Sequence, residues 1–132
     1  MKKLVQGDLY TLEAYARERE SFRARVIAHK RARAVHLGAH LTLLFEDRLT
    51  VQYQVQEMLR IERIFEAKDI QEELDTYNPL IPDGGNLKAT LLIEYADPEE
   101  RALRLVELHG IERLITVTVG DLAAVVAIAD GA

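Results

Sequence analysis

Two histidines, His36 and His40, with Glu46 beyond them, are the first residues whose types could hold a metal. Imidazole and carboxylate are ordinary ligands of zinc and of the first-row transition metals. They fall in an alternating stretch. Val35, Leu37, Ala39, Leu41, Leu43 and Phe45 interleave with His36, Gly38, His40, Thr42, Leu44 and Glu46. Period two predicts one half-buried strand here, apolar on one face. Residues four apart on a strand stand roughly 13 Å apart. Donors sharing one ion through ~2 Å bonds lie about 3–4 Å apart. Chelation by the pair therefore needs a bulge at Gly38. Otherwise a site combines one histidine with Glu57 or Glu62. The plainer reading is that the histidines are hydrogen-bonded at a sheet–helix interface.

Glu62 is the best candidate for acid–base chemistry. A helix predicted from Asp47 or Thr50 to about Phe65 gathers Val51, Val55, Met58, Leu59, Ile61 and Phe65 on one arc at 100° per residue, and Glu62 falls within it. A carboxylate centred on an apolar face must find a partner or shift its pKa upward. The competing expectation is a buried ion pair with Arg25 or Arg33. The opposite face carries Gln52, Gln56, Arg60 and Arg63, near Tyr53, and could dock a partner. A di-iron carboxylate site is rejected, because Glu57, Glu62 and Glu66 lack a histidine three residues on.

The run Asn78-Pro79-Leu80-Ile81-Pro82-Asp83-Gly84-Gly85-Asn86 predicts a fixed loop, with Asn78 and Asp83 as candidate binding residues and Asp83-Gly84 equally a plain turn. It lacks the phosphate-loop pattern, and no dinucleotide fingerprint follows a strand. The lone serine, Ser21, is in no nucleophile elbow.

The elements that must position these residues read as follows. Residues 8–34 predict helix, interrupted near Ser21. After the strand and the helix above, a short acidic helix covers 68–76. Leu87–Tyr95 alternates as a second strand. Asp97-Pro98-Glu99-Glu100 predicts a capping box with proline at the first helical position, and Gly110 ends that helix with His109 in its last turn. Arg113–Val119 and Leu122–Ala129 predict two strands joined at Gly120-Asp121. The last is apolar on both faces, so it should be covered and paired. The expected fold is α+β in a single domain over residues 1–132, with an antiparallel or mixed four-stranded sheet and helices mainly on one face.

Composition bounds the rest. The 132 residues are 48% hydrophobic and 30% charged, enough for a core and too apolar for wholesale disorder. Without cysteine there is no disulfide and no cysteine-ligated cofactor; no other cofactor is specified. No run suits a membrane helix or a signal peptide, so a soluble, cytoplasmic protein is expected. Charge is uneven. Residues 17–36 hold seven cations against two carboxylates; the chain total is −5, so the remainder carries −10. The plain reading is a basic helix beside acidic ones, the sharper one a basic face for an anionic partner. An acidic chain without a recognition motif argues against nucleic acid.

Blocks over more than half the chain resemble a known family. They are His29-Lys30, Arg33, Leu37-Gly38, Phe45-Glu46, Tyr53 to Arg60, Glu62, Tyr77 to Gly84, Leu87 to Thr90 and Glu94. The stretch Arg23–Glu94 resembles the domain-of-unknown-function 3501 family. The resemblance implies a small bacterial cytoplasmic protein encoded beside rubrerythrin-like and iron–sulfur proteins, and hence a redox-linked role. It also implies a further apolar strand beyond Ala129-Asp130-Gly131-Ala132, so that this chain is a short or truncated version. The leading expectation is a non-catalytic accessory or interaction protein that forms a homodimer, or docks a redox partner, through the terminal strand. The alternative is a small enzyme or metal-binding protein centred on Glu57, Glu62 and the His36/His40 face.

Overall fold

The computed structural model describes residues 1–129; the expected chain ending at Asp130 to Ala132 lies outside them. The chain divides into two compact units, the first Met1–Leu92 and the second from Ile93 onward.

In the first unit a 3-10 turn, Gln6–Asp8, leads into helix α1, Leu12–Arg31. Thr11 caps α1 by accepting the Ala14 N–H at 3.1 Å. The helix runs through Ser21 unbroken. The Ser21 hydroxyl donates back to the Glu18 carbonyl at 3.2 Å, so it satisfies the helix it sits in and starts no new one.

The single strand expected from Val35 to Glu46 is a hairpin of β1, Ala34–Leu37, and β2, Leu41–Phe45. They pair antiparallel, Val35 opposite Leu43, His36 opposite Thr42 and Leu37 opposite Leu41. Gly38, at φ 79°, makes the turn rather than a bulge. Folding back about this turn preserves the alternation. Val35, Leu37, Leu41 and Leu43 remain on one face, which is why sequence periodicity does not separate one strand from two.

Helix α2, Arg48–Glu62, starts with a reciprocal cap in which Asp47 accepts the Thr50 N–H at 3.0 Å and Thr50 accepts the Asp47 N–H at 2.9 Å. It stops at Arg63, which adopts the left-handed conformation at φ 54°, and Ile64 N–H reaches back to Leu59 O. Helix α3, Ala67–Tyr77, passes into a 3-10 turn at Asn78–Leu80. Strand β3, Ala89–Ile93, completes a sheet of order β1-β2-β3.

Helix α2 touches both α1 and α3. One core cluster joins Val51, Val55 and Leu59 of α2 to Leu4, Leu74 and Ile81. The other stacks Tyr15, Phe22 and Val26 of α1 against Tyr10, Leu49 and Tyr53. Tyr10 meets Phe22 edge-on, ring centroids 5.6 Å apart.

The second unit holds helix α4, Pro98–Glu107, a 3-10 turn at Ile111–Arg113, and an antiparallel pair of β4, Thr116–Val117, and β5, Val125–Val126. Asp97 and Pro98 start α4 as expected, Asp97 accepting the Glu99 N–H at 3.0 Å. Glu100 turns along the helix to Arg104, 3.9 Å away. His109 lies beyond the helix end, which the left-handed Gly110 follows. The four-stranded sheet expected from the sequence is therefore replaced by a three-stranded and a two-stranded sheet. The expected 113–119 strand shortens because Ile111–Arg113 coils into a 3-10 turn, and the expected 122–129 strand contracts to Val125–Val126.

A Cβ added at Gly38 would meet nothing within 4 Å, so only its backbone conformation opposes substitution. Gly38→Ala should lower the unfolding free energy by about 1–2 kcal/mol, and Gly38→Asn by less, as read by urea denaturation.

Candidate functional site

The polar residues of the first unit gather in three places, two of them where α2 meets another element and the third along the amino-terminal segment.

The first is a clamp between α1 and α2. Tyr15 and Arg19 lie four apart on α1 and so share a face. The Tyr15 hydroxyl donates to Glu57 Oε2 at 2.7 Å, and Arg19 donates to both Glu57 oxygens, at 3.0 and 2.8 Å. Arg60 stands 4.0 Å from Oε1. The bidentate Arg19 fork, with Tyr15 adding to it against the cost of partial burial, holds the Glu57 carboxyl below the usual glutamate range. Burial and the bond to Glu57 push the Tyr15 hydroxyl well up. This carboxylate is an engaged acceptor and a poor base near neutrality.

The second is the corner where β2 enters α2. Burial alone would raise the Asp47 carboxyl, but the Thr50 N–H, His29 and Arg33 together outweigh it and lower it. His29 Nε2 lies 2.5 Å from Asp47 Oδ2, and Arg33 Nε lies 3.4 Å from the same oxygen. Arg33 also donates to the Phe45 carbonyl at 2.8 Å. Buried Glu46 accepts the hydroxyls of Thr50 at 2.6 Å and Thr90 at 3.0 Å. One corner thus ties together the end of α1, the start of α2 and β3.

The third fastens the amino-terminal segment. Gln56 is wholly buried; its Oε1 accepts the Tyr10 N–H at 2.8 Å and its Nε2 donates to the Tyr10 carbonyl at 3.3 Å. Asn78 makes the same two-way bond to Leu4, at 2.8 and 2.9 Å, and Lys3 Nζ donates to the carbonyls of Asn78 and Ile81.

Of the residues singled out in the sequence, Glu57 and Arg60 come together, while Gln56 turns into the interior instead of joining a polar surface with them. Glu62 is exposed at the end of α2, so the buried-acid expectation is corrected. Glu62 is on the same face as buried Val51, Val55 and Leu59, but it is the last residue of α2 and the chain turns away at Arg63, so it lies past the buried stretch; Phe65 falls outside the helix altogether. The expected pairing with the basic helix exists between other partners, Arg19 with Glu57 and Arg33 with Asp47. His36 and His40 do not share a strand face. His36 Nδ1 lies 3.1 Å from its cross-strand neighbour Thr42 Oγ1, and His40 sits in the turn. Glu46 points into the corner. Asp83 closes a turn by accepting the Gly85 N–H at 2.8 Å. Among the described residues, no three His, Asp or Glu side chains converge on a metal position.

Sequence reasoning passed over Tyr15, Arg19, His29 and Asp47 as site residues. Two local signals were available: the i,i+4 spacing of Tyr15 and Arg19, and the Asp47-x-x-Thr50 cap.

The fold and these clusters define an α+β protein whose buried polar groups fasten one element to another. The match to a family model over residues 3–132 is nearly complete, and the chain belongs to that family, described as "Protein of unknown function (DUF3501)". It is also similar to the crystal structure of a "novel protein of unknown function" from Burkholderia pseudomallei K96243, with 55% identity, a TM-score of 0.91, and coverage of 95% of this chain and 71% of that one. None of the curated proteins matches. No helix among the described residues is long and apolar enough to cross a membrane.

Folded Asp47 and Glu57 titrate below their ordinary values of 3.8 and 4.5. Their contribution to stability is therefore complete above pH 4.5 and is lost as pH falls through the lower folded values. Urea midpoints should be level above that pH and drop below it, with Glu57→Gln lowering the plateau and flattening part of the drop. Gln56→Ala, which strands the Tyr10 N–H and carbonyl, should cost about 1–3 kcal/mol. Glu62→Gln should stay within about 0.5 kcal/mol of the parent.

Proposed function

We propose that this chain is a non-catalytic interaction protein that docks a partner through its second unit. The observation that carries the reading is burial. From Ile93 to Ala129 no described residue is buried, although Leu103, Val106, Leu114 and Leu122 are each about two-thirds exposed or more. Exposed apolar surface on this scale is characteristic of protein–protein contact sites. The carboxylates of the first unit support the same reading: Glu46, Asp47 and Glu57 are all engaged in fastening elements together. The family resemblance makes iron–sulfur and rubrerythrin-type proteins the first partners to try.

Hydrogen exchange on the purified full chain, kept dilute enough to be monomeric, tests this. The amides of residues 93–129 should exchange far faster than those of α1 and α2, and should gain protection when a partner binds. Protection in the monomer equal to that of α2 would sink the reading.

A further inference from the structure

We propose that Asp83 is a site of covalent backbone modification. The Gly84 nitrogen attacks the Asp83 side-chain carboxyl, and the residue converts from aspartate to isoaspartate while the first unit stays folded.

The chemistry needs only a carboxyl carbon one bond beyond Cβ and the amide nitrogen of the next residue, which together close a five-membered ring. The Gly84 nitrogen bonds to Asp83 Cγ and gives up its proton, and one carboxyl oxygen leaves as water. Water then opens the cyclic imide. Addition at Cγ restores aspartate. Addition at the original backbone carbonyl breaks that carbon's bond to nitrogen, so the chain now runs through Cγ and the old carbonyl becomes a free carboxylate. One water leaves and one enters, and no oxidant or cofactor is consumed.

A side chain on the following residue crowds the attacking nitrogen. Six aspartates precede Leu9, Arg48, Ile70, Thr76, Pro98 and Leu122, and the proline has no N–H at all. Asp83 and Asp130 precede glycine, and Asp130 lies outside the described residues. Neither asparagine precedes glycine.

The loop geometry favours the same residue. Asp83 Oδ1 accepts the Gly85 N–H at 2.8 Å, which folds the carboxyl back over the chain that follows it. The Asp83 N–H donates to Asn86 Oδ1 at 3.1 Å and holds the turn. Gly84 stands at φ 103°, and a Cβ there would meet nothing within 4 Å. Two consecutive glycines in open space give the backbone the freedom that ring closure needs.

Both ends of the loop are anchored. Ile81 is wholly buried, and its carbonyl accepts Lys3 Nζ at 2.6 Å. The Lys88 carbonyl accepts the Glu46 N–H at 2.8 Å. The extra main-chain carbon of isoaspartate falls between these anchors, in residues 83–87, which are exposed throughout. An exposed loop tip absorbs such an insertion at little cost.

Prolonged warm incubation of the purified full chain, at mildly acidic and mildly alkaline pH, tests the proposal. Isoaspartate is read by transfer of labelled methyl from S-adenosylmethionine with an isoaspartyl carboxyl methyltransferase. Peptide mapping with electron-transfer fragmentation then places it, since the two isomers have equal mass. The expected result is accumulation at Asp83, with the other described aspartates unchanged and helical circular dichroism retained. The reaction should run faster in acid, because the protonated carboxyl is the form that loses water. Asp83→Glu, which would have to close a six-membered ring, should abolish the signal at that position, and Gly84→Ala should slow it several-fold. Absence of isoaspartate at Asp83 in the folded chain, conversion there no faster than at Asp121, conversion at Asp130 alone, or loss of helical signal in step with conversion overturns the proposal.

Discussion

Helix α2 is packed on two sides, against α1 and against α3, and the first unit depends on how it tolerates that position. A helix covered on more than one side cannot keep all of its polar residues in water. Gln56 and Glu57 are the result: one is wholly buried and the other mostly so. Each is kept because its hydrogen-bonding capacity is met, Gln56 by both backbone groups of Tyr10 and Glu57 by Tyr15 and Arg19. A buried polar group with its partners costs little, and without them it costs several-fold more. Each pair therefore also specifies where its neighbour must lie.

The same economy appears at the entrance to α2. Asp47 is at once the helix cap and the partner of His29 and Arg33, so the start of α2, the end of α1 and the hairpin between them are held by one carboxylate. Glu46, one residue earlier, extends the tie to β3 through Thr90. Residues of the kinds that catalyse reactions elsewhere are here occupied in holding elements together, which is why histidine and carboxylate content alone says little about chemistry.

The two units differ in how they deal with water. The first buries Val55, Leu74, Ile81 and Val26 completely. The second is built from an amphipathic helix and a short hairpin whose leucines and valines stay in solvent. Its local signals are nonetheless strong: Asp97-Pro98 starts a helix and Gly110 follows its end. Local propensity shapes such a segment, while stability comes from burial, which short elements obtain only by packing against something else.

Several features were determined by the sequence alone, because they rest on neighbours in the chain. The α+β class, the Asp97 cap, the turn at Asp83-Gly84, the acidic helix after Ala67 and the membership of the family blocks are all of this kind. Periodicity also placed the apolar set Val35, Leu37, Leu41 and Leu43 on one face, since a hairpin about Gly38 leaves the alternation intact. What the tertiary structure alone decided was where along α2 burial ends, which polar residue beside its apolar face is taken inside, and which charges meet. A helical wheel ranks arcs by apolar content, and on that ground Glu62 belonged inside and Gln56 outside. Glu62 is outside because α2 ends on it, and Gln56 is inside because residues far apart in the chain, Tyr10 for Gln56 and Arg19 for Glu57, supply partners that no local pattern reveals.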